Sequence, residues 1–274
     1  MAADDLSGAW NFRDVAEEAG IRPGRFYRSS ELSRLDDGGR EAMRRLGITD
    51  VADLRSLREV ERRGPGQVPD GVEVHLLPFH ELSNQAAAAE GAEAPHDQAF
   101  ERMMTENADS ESPEDTAVAA KRFMVEEYQR FPKLAGAHLA VRQVISMLAD
   151  ERPVIAHCFA GKDRTGFTVA LVLETAGVAR DAILADFLRS NDAVPQLRDR
   201  ILESIRNRGD DDTTDEIITF AEARLTKEVL GVHADYLSAA RRAIDEEYGS
   251  LPNYLEALGV TASDVDRLRT NLLG

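Results

Sequence analysis

The chain has 274 residues, of which 43% are apolar and 30% charged, with a single cysteine and a formal net charge of −17, a composition typical of a globular protein without internal disulfides. The negative charge excludes a general nucleic-acid binder and argues against broad adhesion to anionic membranes. No apolar run approaches the ~20 residues of a transmembrane segment, and the acidic first five residues lack the basic and apolar regions of a signal peptide.

The first eighty residues alternate between strand-like and helix-like patterns. Short runs rich in β-forming residues predict strands over 24–29, 48–55 and 73–79. A helix is predicted over 33–46, with Gly47 at its C-terminal cap. This alternation favours an α/β fold with a mostly parallel central sheet flanked by helices.

The segment from about 83 to 116 has a different composition. Residues 83–120 contain nine acidic side chains and one basic side chain. We predict a mobile acidic insertion here, with a short helix at about 100–104. The composition fits a solvated surface insertion as well as it fits a functional segment.

The remainder of the chain is predominantly helical in pattern. We find no internal repeat and predict a single domain spanning 1–274. Helical periodicity predicts helices over 117–131, 136–148, 180–190, 194–207, 216–230 and 232–247. A group of short helices is predicted over 255–273.

One run, His-Cys-Phe-Ala-Gly-Lys-Asp-Arg-Thr-Gly at 157–166, carries most of the chemical information. It follows an apolar strand at 153–156 and precedes a helix predicted over 167–174. The N–H groups of such a loop, together with the positive helix N-terminus, can form an anion site. Arg164 can bind two phosphate oxygens, and the same field favours the thiolate of Cys158. A thiolate beneath a bound phosphate is placed for phosphoryl transfer to sulfur.

The Cys-x5-Arg spacing resembles the signature of protein tyrosine phosphatases. Further segments make the chain similar, nearly end to end, to the bacterial atypical, lipid-phosphatase-like members of that family; these segments are 8–14, 26–35, 48–56, 75–79, 189–192 and 248–251. The resemblance implies a phosphatase-like fold in which a C-terminal helix pair, at about 216–248, forms a lid.

The resemblance also implies a function. It implies activity on phosphotyrosine proteins, and further activity on phosphoserine, phosphothreonine and phosphoinositide headgroups. Inorganic phosphate and other oxyanions are the implied inhibitors, and no metal or cofactor is implied. The family further implies a bacterial virulence phosphatase that is secreted without a recognisable signal peptide.

Roles pass to this chain by position in the motif. The resemblance implies Cys158 as the nucleophile, Arg164 as the phosphate clamp and the backbone of 159–164 as the phosphate cradle. Lys162 adds an ammonium group that suits a headgroup with several phosphates. Phe159 can line the pocket and stack on a substrate ring, or it can be a core residue. The predicted substrate-binding residues are Phe159, Ala160, Gly161, Lys162 and Thr165.

The general acid departs from the family pattern. Family members carry an aspartate shortly after a Leu-Leu-Pro-Phe stretch, where this chain has Glu81. We predict that Glu81 protonates the leaving oxygen. Asp163, inside the loop, is the alternative, and its other role would be to orient Arg164 or the loop. Asp53 is a third candidate that is better explained as a structural carboxylate at a strand end.

Two neighbours of the motif have predicted supporting roles. His157 can favour the thiolate by hydrogen bonding within the loop. Thr165 can hydrogen-bond the thiolate, and it can also cap the helix.

Other functional classes fit the motif less well. A sulfurtransferase would also place a cysteine in an anion loop, but the Arg-Thr-Gly ending argues against it. A non-catalytic phosphate-binding module would typically lose Cys158 or Arg164. A nucleotide P-loop is excluded by Asp163 where a Ser or Thr is needed, and a zinc site by the absence of ligand spacing.

Overall fold

The computed structural model describes residues 6–80, 113–208 and 215–274. Within them, one five-stranded sheet has the order β1-β2-β5-β3-β4. β1 pairs antiparallel with β2, and all other pairs are parallel, which confirms the predicted mostly parallel sheet. The strands are β1 Arg13–Asp14, β2 Phe26–Ser29, β3 Asp50–Asp53, β4 Glu73–Leu76 and β5 Val154–His157.

Helices flank this sheet. In chain order, the described helices are α1 Ala16–Ala19, α2 Asp37–Arg45, α3 Leu57–Arg63, α4 Pro113–Arg130, α5 Ala135–Ala149, α6 Asp163–Ala176, α7 Arg180–Arg189, α8 Val194–Arg208, α9 Asp215–Arg224, α10 Lys227–Leu230, α11 Ala234–Tyr248, α12 Leu251–Ala257 and α13 Ala262–Leu273.

The sheet separates two apolar cores because successive side chains of a strand point to opposite faces. The main core lies against α4 to α7 and α11 to α13, and its strand residues include Phe26, Ala52 and Ala156. The second core lies against α2, and its strand residues are Tyr27, Val51 and Ile155. The central strands are therefore buried on both faces, as is usual for parallel sheets.

A third apolar cluster, which we call the cover cluster, encloses the loop that follows β5. It joins two loop residues, Phe159 and Ala160, to apolar side chains of α8, α9, α10 and the turn between the last two. Its other buried members are Val194, Leu197, Leu202, Ala221, Leu225 and Leu230.

The segment predicted as a lid pair, 216–248, is divided between two clusters. Helices α9 and α10 belong to the cover cluster, whereas α11 packs against α4 in the main core. The reason is that α11 carries an apolar stripe, including Tyr236, Ala240 and Ile244, which is buried in that core. The helix that shares the cover cluster with α9 and α10 is α8.

Polar caps account for several differences between predicted and observed helix ends. α2 begins later than predicted because the Asp36 side chain accepts a hydrogen bond from the first turn. The helix predicted over 216–230 is interrupted where the Thr226 hydroxyl caps α10. α6 begins at Asp163, before the predicted start at Phe167, so the last part of the motif is helical.

The predicted acidic insertion and the short helix within it fall largely in residues 81–112, which lie outside the described residues. The same is true of Glu81. In the described parts of the chain, no helix combines the length and the apolar character that crossing a membrane requires.

Candidate active site

The motif loop occupies the point of the sheet where ligands bind in open α/β folds. β5 lies between β2 and β3, and the loop 158–162 leaves its carboxyl end to enter α6. Ligands in such folds bind beyond the carboxyl ends of the strands, where the strand order reverses. Cys158 is the first residue of this loop and has only 2% of its surface exposed.

Gly161 allows the loop to pass close to β2. Its φ of +63° lies in the left-handed region. A Cβ atom at this position would lie 2.1 Å from the carbonyl oxygen of Ser29. A side chain would therefore be both strained and obstructed, which explains why the loop has glycine here.

Arg164 lies in the first turn of α6, and a buried carboxylate holds its guanidinium. Nη1 and Nη2 donate to the two oxygens of Glu59 at 2.6 and 2.8 Å. Burial opposes the charged form, but the charge of Glu59 above all overcomes it and raises the pKa of Arg164. Because a guanidinium has five N–H donors, donors remain for a phosphate after two have paired with Glu59.

Glu59 is a site residue that the sequence analysis missed. Its carboxylate accepts the Ser56 backbone N–H at 2.8 Å, and its own N–H donates to the Ser56 hydroxyl at 3.2 Å. This is the capping box of α3, and its Ser-x-x-Glu spacing is visible in the sequence. The spacing predicts a helix start. It does not predict that the same carboxylate pairs with Arg164.

The ammonium group of Lys162 is already paired in this structure. Its ammonium group donates to the carbonyl oxygen of Leu230 at the end of α10. It also lies 3.5 Å from a carboxylate oxygen of Asp163, and the residue is only 5% exposed. Lys162 therefore ties the loop to the cover cluster in this structure.

Asp163, the first residue of α6, is bound from behind by a tyrosine. The Tyr128 hydroxyl donates to the Asp163 carboxylate at 3.2 Å. Burial, followed by the charge of Asp163, raises the pKa of Tyr128 well above its usual value. Tyr128 therefore stays protonated and remains a hydrogen-bond donor to Asp163.

Phe159 is enclosed rather than open to solvent. The guanidinium carbon of Arg63 lies 3.8 Å from the ring centroid, and Trp10 packs edge-on with a centroid distance of 6.3 Å. Phe159 and Ala160 are 1% and 4% exposed. Both therefore act as core residues of the cover cluster while it is closed.

Within the described part of the chain, neither His157 nor Thr165 donates a hydrogen bond to the Cys158 sulfur. His157 Nδ1 lies 3.2 Å from the carbonyl oxygen of Cys158, and burial lowers the pKa of the ring despite a nearby Asp53. The buried Thr165 hydroxyl has no hydrogen-bond partner among the described residues. Thr165 is the third residue of α6, and Lys162 holds the cap position, so Thr165 is not the helix cap.

Asp53, the third candidate acid, is held in a structural ion pair. Arg55 donates to it from Nε at 2.9 Å and from Nη2 at 2.7 Å. This arrangement agrees with a structural carboxylate at the end of β3.

Among the described residues, one group could hold a metal, and it lies away from the loop. Ligand atoms of Asp50, Glu73 and His75 lie within 4.8 Å of one another, at the strand ends opposite the loop. Arg152 already pairs with this group, donating to Glu73 at 2.6 Å and contacting Asp50. The arrangement is an ion-pair network and carries no argument for a metal.

Comparisons with known proteins agree with this geometry. A sequence model described as the tyrosine phosphatase family matches residues 4–274. The chain is 57% identical over 279 positions, spanning 100% of both proteins, to the triple specificity protein phosphatase PtpB of Mycobacterium tuberculosis. A Cupriavidus necator relative, named as a tyrosine-protein phosphatase, is 32% identical over 276 positions, or 100% of this chain and 88% of the relative. A tyrosine-protein phosphatase of Nostoc commune is 26% identical over 250 positions, covering 90% and 74%.

Proposed function

Since the chain belongs to the tyrosine phosphatase family and is a phosphatase, we propose that it hydrolyses phosphate monoesters through a phosphocysteine intermediate on Cys158. One observation carries the proposal. The single cysteine begins the loop that enters the N-terminus of α6, and the buried Arg164 in the first turn of that helix is held in place by Glu59. A thiolate, a fixed guanidinium and a helix N-terminus together suit in-line attack on a phosphate.

The reaction has two displacements. In the first, the Cys158 sulfur forms a bond to phosphorus while the ester P–O bond breaks, and the leaving oxygen takes a proton from a carboxylic acid. In the second, water attacks phosphorus and gives a proton to the same carboxylate, the S–P bond breaks, and inorganic phosphate leaves with the thiolate and the carboxylic acid restored. Arg164 and the loop N–H groups hold the equatorial oxygens as charge develops.

Glu81 is our first choice for the acid, and Asp163 is the alternative. Glu81 rests on its sequence position after Leu-Leu-Pro-Phe. Asp163 rests on its place at the loop, where the Tyr128 hydroxyl orients its carboxylate. Replacing the acid should flatten the alkaline limb of the pH–rate profile for substrates with poor leaving groups. Glu81→Gln and Asp163→Asn, measured side by side, assign the role to the variant that loses this limb.

We propose that the substrates extend beyond phosphotyrosine to phosphoserine, phosphothreonine and phosphoinositide headgroups. The relative named as a triple specificity phosphatase supports this range. Lys162 supports it as well, because an ammonium group in the loop can bind a second phosphate once it leaves the Leu230 carbonyl. Lys162→Met should therefore lower kcat/KM for phosphoinositides more than for phosphotyrosine.

We also propose that the protein acts outside the bacterium that makes it, as the family resemblance implies. Fractionating a producing culture tests this directly. The protein should accumulate in the medium ahead of a cytoplasmic marker enzyme, and its retention in cells until lysis would refute export.

The decisive experiment compares wild type with Cys158→Ser for phosphate release from phosphotyrosine, phosphoserine and phosphoinositide substrates. We expect release by wild type only, with the fold of the variant retained. Trapping radiolabelled phosphate on acid-quenched wild type would identify the phosphocysteine. Turnover by Cys158→Ser would contradict the mechanism. A thiosulfate assay on the same preparations tests the sulfurtransferase alternative, which predicts sulfur transfer in place of phosphate release.

A further inference from the structure

The rear of the phosphate loop is held by residues far away in sequence. Asn11 Nδ2 donates to the carbonyl oxygens of Ala160 and Gly161 at 2.9 and 3.1 Å. Arg28 Nη2 donates to the carbonyl oxygen of Gly161 at 2.7 Å and lies 3.4 Å from that of Lys162. Two side chains therefore bind three successive carbonyl groups of the loop.

Backbone donors bind the carbonyl groups at the two ends of the run 159–162. The Glu31 N–H donates to the Phe159 carbonyl at 2.9 Å, and the Gly166 N–H donates to the Lys162 carbonyl at 2.9 Å. A trans peptide is planar, and its C=O and N–H point in opposite directions. Because the carbonyl groups of 159–162 point toward these donors, the N–H groups of 160–163 point to the opposite side of the loop. On that side they can bind an anion.

Arg28 is itself held in a buried ion-pair network. Asp186, on α7, accepts Arg28 Nη1 at 2.5 Å and Arg13 Nε at 2.8 Å. The Ser190 hydroxyl oxygen lies 3.2 Å from both guanidinium groups. Arg13 Nη1 in turn donates to the Asn11 side-chain oxygen at 2.7 Å, which orients the amide that binds the loop.

The network carries a net positive charge behind the loop. Arg28, Arg13 and Asp186 are 0%, 3% and 1% exposed. Burial opposes the Asp186 charge, but Arg28 and Arg13 overcome it and lower the pKa of this carboxyl. Burial and then Arg28 lower the pKa of Arg13 to about 10, so it remains charged at neutral pH. Two cations thus share one carboxylate in a region that water does not screen.

We propose that Asn11 and Arg28 are positioning residues, which set the peptide planes of the phosphate loop, and that Arg28 also supplies positive charge behind the bound phosphate. Asp186 and Arg13 act through them. This inference goes beyond the proposed function. Its kcat/KM test rests on the proposed phosphatase activity, whereas its tungstate test requires only anion binding. A purely structural network would contribute stability without affecting anion affinity.

The central test compares two asparagines that make the same kind of contact. Asn271, on α13 and remote from the loop, donates to the carbonyl oxygens of Leu148 and Ala149, at the end of α5, at 3.2 and 2.7 Å. Asn11→Gly removes the loop contact and keeps a residue suited to the positive φ of +53°. Asn271→Ala removes the remote contact.

Anion affinity is the direct readout. It is measured as protection of Cys158 from iodoacetamide by increasing tungstate, an oxyanion that stands in for phosphate. We expect Asn11→Gly to weaken tungstate binding and kcat/KM by roughly 10- to 100-fold, as misplaced binding groups typically do. Asn271→Ala should leave both unchanged while losing comparable thermal stability.

The charge of Arg28 is tested by a pair of variants. Arg28→Met removes both the donor and the charge, whereas Arg28→Lys keeps the charge. Tungstate affinity should fall more in Arg28→Met than in Arg28→Lys. If Arg28→Met does not fold, Arg28→Gln, which keeps a donor without the charge, replaces it in this comparison, and Asn11→Gly still tests the positioning role.

The proposal is overturned if Asn11→Gly matches Asn271→Ala in tungstate affinity and kcat/KM within about twofold, a difference of roughly 0.4 kcal/mol. Equal tungstate affinities in Arg28→Met and Arg28→Lys would show that the charge of Arg28 does not contribute to anion binding. Failure of wild type to release phosphate would count against the proposed function only, because tungstate protection requires binding and no turnover.

Discussion

The two sides of the phosphate loop are held by different kinds of interaction. The rear is bound by directional hydrogen bonds from Asn11, Arg28 and the backbone. The front is covered by apolar side chains of α8 to α10, and one ammonium contact, from Lys162, joins the two. Directional bonds specify geometry, whereas apolar contacts depend on area and have little orientation. The loop can therefore keep its shape while the cover separates from it.

This difference matters because the reactive groups are enclosed. Cys158 and Arg164 are each 2% exposed in this structure. A phosphate ester can reach them only when the cover cluster opens, so we expect opening to be a step of the catalytic cycle. The following predictions test whether the two sides of the loop separate in this way.

The largest effect should come from the residue that links the loop to the helix. Arg164→Ala should lower kcat/KM by roughly 10³-fold, or about 4 kcal/mol, because it removes the charge that binds the transferring phosphoryl group. Steady-state kinetics on phosphotyrosine measures this loss. The kcat/KM of Arg164→Lys should lie between those of wild type and Arg164→Ala, because lysine keeps the charge but lacks the planar fork of donors. A loss below about tenfold in Arg164→Ala would contradict the clamp role.

A smaller loss should follow from releasing the Arg164 guanidinium. Glu59→Gln should lower kcat/KM by roughly 10- to 100-fold through misplacement. It should also cost about 3 kcal/mol of unfolding free energy, since a buried ion pair loses one charge. Kinetics and denaturant unfolding measure both.

Glu203 provides the matched control. It binds one guanidinium nitrogen of Arg34 through both carboxylate oxygens at 3.1 Å, but both side chains are exposed. Glu203→Gln should change stability by less than about 1 kcal/mol and leave turnover intact. Equal effects in the two variants would show that Glu59 has no special role.

Glu59 also illustrates how far the sequence predicts this site. Cys158 and Arg164 could be assigned because one loop holds both, within a short apolar strand and a helix. Glu59 pairs with Arg164 from 105 positions away, and Asp186 pairs with Arg13 from 173 positions away. Such pairs depend on how elements pack. No local periodicity encodes them, although the segments that carry Asn11, Arg13 and Arg28 were already visible as family-like.

The fold shows the same division. The parallel strands were predictable because runs such as 154–156, in β5, are apolar on both faces. The partner of α9 and α10 was not predictable, because α11 and α8 both carry apolar stripes of suitable length. Only the packing shows that α11 belongs to the main core and α8 to the cover cluster.

A change on the front of the loop should affect access more than stability. Leu225→Ala should destabilise the closed cover by about 1 kcal/mol and so raise Cys158 alkylation about fivefold. Leu268, fully buried on α13 in the main core, is the control. Leu268→Ala should lower the Tm further, by removing core packing, without changing alkylation. If Leu268→Ala raised Cys158 alkylation as much as Leu225→Ala does, the cover cluster would not open independently of the main core.

The smallest effect concerns His157, whose neutral form is favoured by burial. Burial lowers the pKa of His157 in the folded protein, whereas the unfolded chain takes up its proton near pH 6.5. Its contribution to stability is therefore complete above about pH 6.5 and declines as the pH falls through that value toward the folded-state pKa. Wild type should lose unfolding free energy over this interval, and His157→Gln should lose less.

Asp186 defines a separate interval for the same measurement. Because the pKa of Asp186 is lowered in the fold, its contribution is lost only as the pH falls below about 4. Urea unfolding of wild type and His157→Gln at several pH values resolves the two intervals. Curves that stay parallel between about pH 7.5 and 5 would show that His157 gains no proton on unfolding in that range. A neutral His157 donates from Nδ1 to the Cys158 carbonyl oxygen, so it would orient the first peptide of the loop and leave the positive charge to Arg28 and Arg164.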